Sequence, residues 1–181
     1  MKKTILMAVM ILVACSTFGQ RAKKAATAAA RQSNETLTVS LAHDDDDAIT
    51  KVTVVVMRDG DVFQYLETTE WLEAMPNNPT EVGAISRHDI NFDGYPDIQV
   101  YLGQYSNLGL DFYDAWVWNP RQQSYVRVDK YHEIPCAEVN TKKKCIESTA
   151  AVSFSKSCYL RYDWKKGQLV LTKREELSGE E

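Results

Sequence analysis

The chain has no surplus of positive charge: 21 Lys and Arg stand against 25 Asp and Glu, a formal net charge of -4. With no basic stripe to neutralise phosphates, nucleic acid is excluded as the main partner. Histidine is scarce, at 3 residues, and no Cys lies two positions from another, so a zinc centre is not expected. The longest apolar run, Thr4 to Ala14, is too short to stay in a bilayer as a spanning helix. There is no nucleophile elbow, no metal-hydrolase helix motif and no locally announced Ser/His/Asp set, so the chain does not read as an enzyme. Strong internal repetition is missing too, which argues against a regular solenoid.

What remains is 181 residues, 44% hydrophobic and 25% charged. That is one domain's worth of sequence, enough to bury about two thirds of its unfolded surface. Residues 1–19 read as an export signal, with Lys2 and Lys3 ahead of the apolar run. Two cleavage readings compete. Leu12-Val13-Ala14-Cys15 has the form of a lipobox, which would lipidate Cys15 and anchor the chain to the outer membrane; this reading is preferred. Thr17-Phe18-Gly19 also suits an ordinary signal peptidase, which would release a secreted protein. Either way the domain is expected in the periplasm, the cell envelope or beyond. Residues 20–35, rich in Ala, Lys and Arg with no apolar face, read as a flexible tether. In an oxidising compartment Cys136, Cys145 and Cys158 are expected to form a disulfide. Cys136–Cys145, closing a loop with a Lys142-Lys143-Lys144 tip, is favoured over the other two pairings.

The most specific motif is Asp89-Ile90-Asn91-Phe92-Asp93-Gly94-Tyr95-Pro96-Asp97. Oxygen side chains fall at positions one, three, five and nine, with glycine at six. This is the spacing by which a short bent backbone converges oxygen ligands on Ca2+. The expected ligands are Asp89, Asn91, Asp93, the Tyr95 carbonyl and Asp97. Position twelve, where a bidentate Glu would close the cage, is Val100. The residues after the loop alternate with a strand period, so a calcium loop launching a β-strand is expected, with the missing ligand from water, Asp111 or Asp114. The competing reading is an Asx-rich turn without an ion.

Taken in order, Thr36 to Leu41 reads as a strand and His43 to Asp47 as a solvated acidic loop. Ile49 to Met57 and Val62 to Leu66 form a hairpin about Asp59-Gly60. Thr69 to Met75 is expected to be a short helix stopped by Pro76-Asn77-Asn78-Pro79. Gly103 to Asp111 reads as a loop, Tyr113 to Trp118 with Ser124 to Val128 as a second hairpin, and Cys158 to Trp164 with Leu169 to Lys173 as a last one. Ala150 to Phe154 is a further strand. Trp116 and Trp118 share a strand face and belong to the core, the alternative being an exposed platform for sugars. Fraying is expected from Glu175, with residues 176–181 a disordered tail. The result is a single all-β domain, residues 36–175, of antiparallel hairpins in a propeller-like or sandwich-like arrangement.

The calcium loop, then Trp116-Val117-Trp118-Asn119-Pro120, then Tyr162-Asp163-Trp164 before Gly167-Gln168-Leu169-Val170-Leu171, resemble the periplasmic immunity lipoproteins of bacteria-killing type IV secretion systems. The resemblance covers Val52 to Leu171. It implies a β-propeller-like fold, the calcium positions Asp89, Asn91, Asp93, Tyr95 and Asp97, no catalytic residues, and a lysozyme-like peptidoglycan hydrolase as the protein partner to be inhibited. The alternative function is a cell-surface adhesion or glycan-binding module.

Overall fold

Short turns of left-handed backbone set the architecture. At Asp59-Gly60 and at Lys166-Gly167 both central residues have positive φ, the geometry that reverses two twisted strands within two residues. The computed structural model describes residues 34–70, 79–105 and 107–178. Glu35–Glu181 forms one compact unit. The export signal, nearly all of the tether, most of the expected Thr69 to Met75 helix and the last three residues lie outside the described ones.

Among the described residues, eleven strands make three antiparallel sheets, each strand pairing with its sequence neighbours within its sheet. The first sheet holds β1 (Glu35–His43), β2 (Ile49–Arg58) and β3 (Asp61–Thr68). The second holds β4 (Ile85–His88), β5 (Asp97–Tyr105), β6 (Leu110–Asn119) and β7 (Ser124–Arg127). The third holds β8 (Ala137–Asn140), β9 (Cys145–Ser153), β10 (Lys156–Lys165) and β11 (Gln168–Ser178). The fold is all-β, and the sheets do not close into a barrel.

The second sheet is the middle layer, and the period-two alternation of its strands explains why. Ile98, Val100 and Leu102 on β5 and Trp116 and Trp118 on β6 pack with Val52, Val54, Val56 and Leu66 of the first sheet. The opposite face of β6 presents Ala115 and Val117 to Ile146, Tyr162 and Trp164 of the third sheet, with Tyr131 and Ile90 between. Each fully buried aliphatic side chain here contributes about 1.5–3 kcal/mol. Both tryptophans are 4% exposed, so they form core and no sugar platform.

Several expectations need correction. Glu35, assigned to the tether, begins β1, and its carboxylate is 0% exposed between Arg58 and Arg87 at 2.6 and 2.9 Å. Gly103 and Gln104 continue β5, which crosses the expected loop by a bulge between Tyr101 and Gly103. Phe154 lies beyond the end of β9. The acidic end is paired: Glu175 faces Tyr159 and Glu176 faces Cys158, so β11 runs to Ser178. The three cysteines are free. Asn140 is the partner of Cys145 and Ala137 that of Ser148, which sets Cys136 and Cys145 about 13 Å apart along the hairpin. A bridge needs Cα atoms within about 7 Å. Cys158 pairs with Ala150 on the far side of β9, so β9 separates it from Cys136.

Candidate metal centre

The loop of residues 89–96 joins β4 to β5, closed by the pair His88 and Asp97. Its bend needs left-handed backbone at Gly94, as the sequence implies, and also at Phe92, where φ is 61°. A non-glycine residue holds that conformation only at a cost of about 1–2 kcal/mol. Packing of the Phe92 ring against the second core cluster offsets it.

The oxygen side chains divide into two groups. Asp89, Asn91 and Asp93 form the outer group and organise the loop's own N–H groups. Asp89 accepts from Asp93 N and Gly94 N, both at 3.0 Å. Asn91 Oδ1 accepts from Asp93 N at 3.1 Å, while Asp93 Oδ1 accepts from Tyr95 N at 3.0 Å. The Asn91 amide donates to Asp93 Oδ2 at 2.9 Å. Asp93 is exposed as a residue, yet the loop packed around its carboxyl desolvates it and, with the charge of Asp89, pushes its pKa up.

Asp97 faces the other way and is 0% exposed. Its Oδ2 accepts from Ile90 N at 2.8 Å and Asn91 N at 3.4 Å, and its Oδ1 accepts from Trp118 N on β6 at 2.8 Å. Burial pushes its carboxyl up to about 7 despite these donors. From the third sheet, Trp164 Nε1 donates to the Ile90 carbonyl at 2.7 Å. The Ile90 peptide is therefore gripped at its N–H by Asp97 and at its neighbouring carbonyl by Trp164, and the loop is fixed to two sheets.

Among the described residues, no three His, Cys, Asp or Glu side chains stand together as a metal cage. The convergent outer donors are two carboxylates and an amide, all hard oxygen ligands of the kind Ca2+ takes. These fit one side of a calcium shell, with the Tyr95 carbonyl next in sequence and Asp97 on the loop floor. Two suggested additional ligands do not join them. Asp111 pairs with Gln104, seven residues along β5 from Asp97, roughly 23 Å of strand. Its Oδ1 accepts from Tyr101 Oη at 2.7 Å. Asp114 is buried and ion-paired with Arg127 at 2.7 Å. Val100, at position twelve, is 0% exposed.

Sequence reasoning placed Glu35 in the tether and Trp164 in the last hairpin and the family resemblance, and gave neither a part in holding the sheets or the loop. Nothing distinguishes Glu35 from the polar residues before it. Trp164 carried a signal only as an indole, which when buried looks for an acceptor.

No protein-family model and no curated protein matches the sequence. Among solved structures, the chain is similar to that of a Xanthomonas type IV secretion system related protein, with a TM-score of 0.52 and 20% identity over 80% of this chain and 78% of that one. At that identity the likeness establishes a shared fold.

Proposed function

We propose that the chain is an exported, calcium-stabilised binding domain that works without catalysis, and that its partner is a lysozyme-like peptidoglycan hydrolase which it inhibits. The observation that carries this reading is the loop 89–96, held between β6 and β10 by Asp97 and Trp164, on a fold shared with a type IV secretion system related protein. The residues resembling periplasmic immunity lipoproteins lie in that loop, in β6 and β10 that hold it, and in the adjoining turns and β11. Inhibition needs no nucleophile; it needs a rigid scaffold presenting a surface to a cleft. The ion would be held by Asp89, Asn91, Asp93 and the Tyr95 carbonyl above Asp97. It would neutralise carboxylates that otherwise repel one another. At ten to a hundred times its dissociation constant, calcium would add about 1.4–2.7 kcal/mol of stability. The lipobox at Cys15 would place the domain at the outer membrane, where such an enzyme would meet its substrate.

The test has two arms. The protein is used as bait against cell-envelope and secreted proteins, and any captured peptidoglycan hydrolase is assayed for turbidity loss of cell-wall suspensions with and without it. Stoichiometric inhibition supports the reading. Capture without inhibition, or no hydrolase at all, contradicts it.

A further inference from the structure

The face of the second sheet turned away from the first core carries a groove of about 830 Å³ of mixed polar and apolar lining, within the range of about 300–1,000 Å³ typical of small-ligand sites. Its floor is built from Gln99, Tyr101 and Gln104 on β5 and Asp111 and Tyr113 on β6, with Ser86 of β4 beside them. One wall is the connection ahead of β4. Gly83, at φ +90°, lets that connection lie against β1, since a Cβ there would stand 2.7 Å from Val39 Cγ1.

These side chains are held in place before any ligand arrives. Asp111 Oδ1 accepts from Tyr101 Oη at 2.7 Å and Gln104 Nε2 at 3.3 Å. Gln99 accepts from Ser86 Oγ and donates to Tyr131 Oη, both at 3.0 Å. The Tyr101 and Tyr113 rings lie 5.2 Å apart. The β5 bulge has a specific consequence here. Tyr101 pairs with Tyr113 but Gly103 with Phe112, so Leu102 turns into the core and Gln104 returns to the face of Tyr101. Without the extra residue, Gln104 would point into the core; bulges commonly re-aim a side chain in this way.

We infer that this groove binds a neutral, hydroxyl-rich ligand of the oligosaccharide class. A sugar ring offers an apolar C–H face to a tyrosine ring and an edge of hydroxyls to amides and a carboxylate. Among the described residues no lysine or arginine lines the groove; Glu81 and Asp111 do, with His88 the one histidine among the lining residues. An anionic ligand would therefore meet repulsion. Among the described residues both side-chain donors to Asp111 reach Oδ1, which leaves Oδ2 to a ligand hydroxyl. The site lies on β4, β5 and β6; His88 at its edge adjoins the calcium loop, while Asp111 and Gln104 stand at the far end of β5, and the assignment does not depend on the proposed inhibitor role.

The experiment is a calorimetric titration of the full chain with cellotetraose, chitotetraose, maltotetraose and, as the anionic counterpart, tetragalacturonate. Binding of at least one neutral tetraose is expected, weakened about tenfold by Asp111→Asn and by Gln104→Ala, as the loss of a hydrogen bond implies. Lys143→Ala, on the distant β8–β9 turn, should leave affinity unchanged. Asp111→Asn keeps the side chain's shape, so it remains informative if Gln104→Ala disturbs the bulge. Failure of all three neutral sugars to bind, equal binding of the galacturonate, or unchanged affinity in a folded Asp111→Asn protein overturns the assignment.

Discussion

Trp164 on β10 donates its indole N–H to the carbonyl of Ile90, inside the loop between β4 and β5, at 2.7 Å. This bond joins the third sheet to the one segment with calcium-ligand spacing. Trp164→Phe keeps most of the ring and removes the donor. It should cost about 1 kcal/mol in urea unfolding and weaken calcium binding, because the ion must then supply the ordering that the third sheet gave the loop. A variant as stable as the parent with unchanged calcium affinity would show that the third sheet does not support the loop.

Asp97 and Asp93 should separate the structural from the ligating carboxylates. Asp97→Ala leaves the Ile90, Asn91 and Trp118 N–H groups without their acceptor, at a cost of about 3 kcal/mol even in calcium-free buffer. Asp93→Ala touches only the exposed outer group and should change calcium-free stability by about 0.5 kcal/mol or less, while abolishing the stabilisation by calcium. Chemical unfolding of both variants with and without the ion reads the difference.

Glu35 joins the first two sheets. Its carboxylate, 0% exposed, meets Arg58 at 2.6 Å and Arg87 at 2.9 Å and accepts from Tyr125 Oη at 2.8 Å. Removing one partner from a buried ion pair strands the other charges. Both arginines reach solvent, so Glu35→Ala should cost about 3 kcal/mol, the low end for such sites. A truncation beginning at Thr36 should lose a similar amount in urea midpoint.

Glu147 sets an acid limit on the third sheet. Hydrogen bonds from Lys143, Tyr159 and Asn140, at 2.8, 2.6 and 2.6 Å, hold its carboxyl at about 2, below its ordinary value of 4.5. A depressed folded-state value stabilises the fold above about pH 4.5, and the contribution is lost as pH falls through about 2. The same bond to Glu147 pushes Tyr159 up to about 12, so that tyrosine's share is lost only as pH rises through about 12. Against Glu147→Gln, the parent should lose stability more steeply between pH 4.5 and 2, and the two should converge near pH 2. Parallel profiles would contradict the network.

The hairpins were readable in the sequence because their turns are chemically explicit: Asp59-Gly60, Asn119-Pro120 and Lys166-Gly167 each interrupt alternating runs, and β2–β3, β6–β7 and β10–β11 follow them. The shared face of Trp116 and Trp118 was readable from spacing alone. Short strands were not: β4 is Ile-Ser-Arg-His and β8 is Ala-Glu-Val-Asn, with too few alternating positions to stand out. Gly103 reads locally as a loop residue, and only pairing with Phe112 across a bulge makes it strand. The loop's ligand spacing was visible, but the inward turn of Asp97 was not, since a nine-residue motif does not reveal that Trp118 N will need an acceptor. The cysteine pairing failed for a related reason. Closeness along the chain suggested Cys136 with Cys145, and the β8–β9 register put them at opposite ends of a hairpin.

Calcium binding by the loop 89–96 is the central claim, and a melting curve in millimolar calcium set against one in excess chelator tests it most directly. A higher Tm is expected with the ion, abolished by Asp93→Ala and retained by Lys143→Ala. Superimposable curves, together with no calorimetric heat on titrating calcium into the chelated protein, would contradict it.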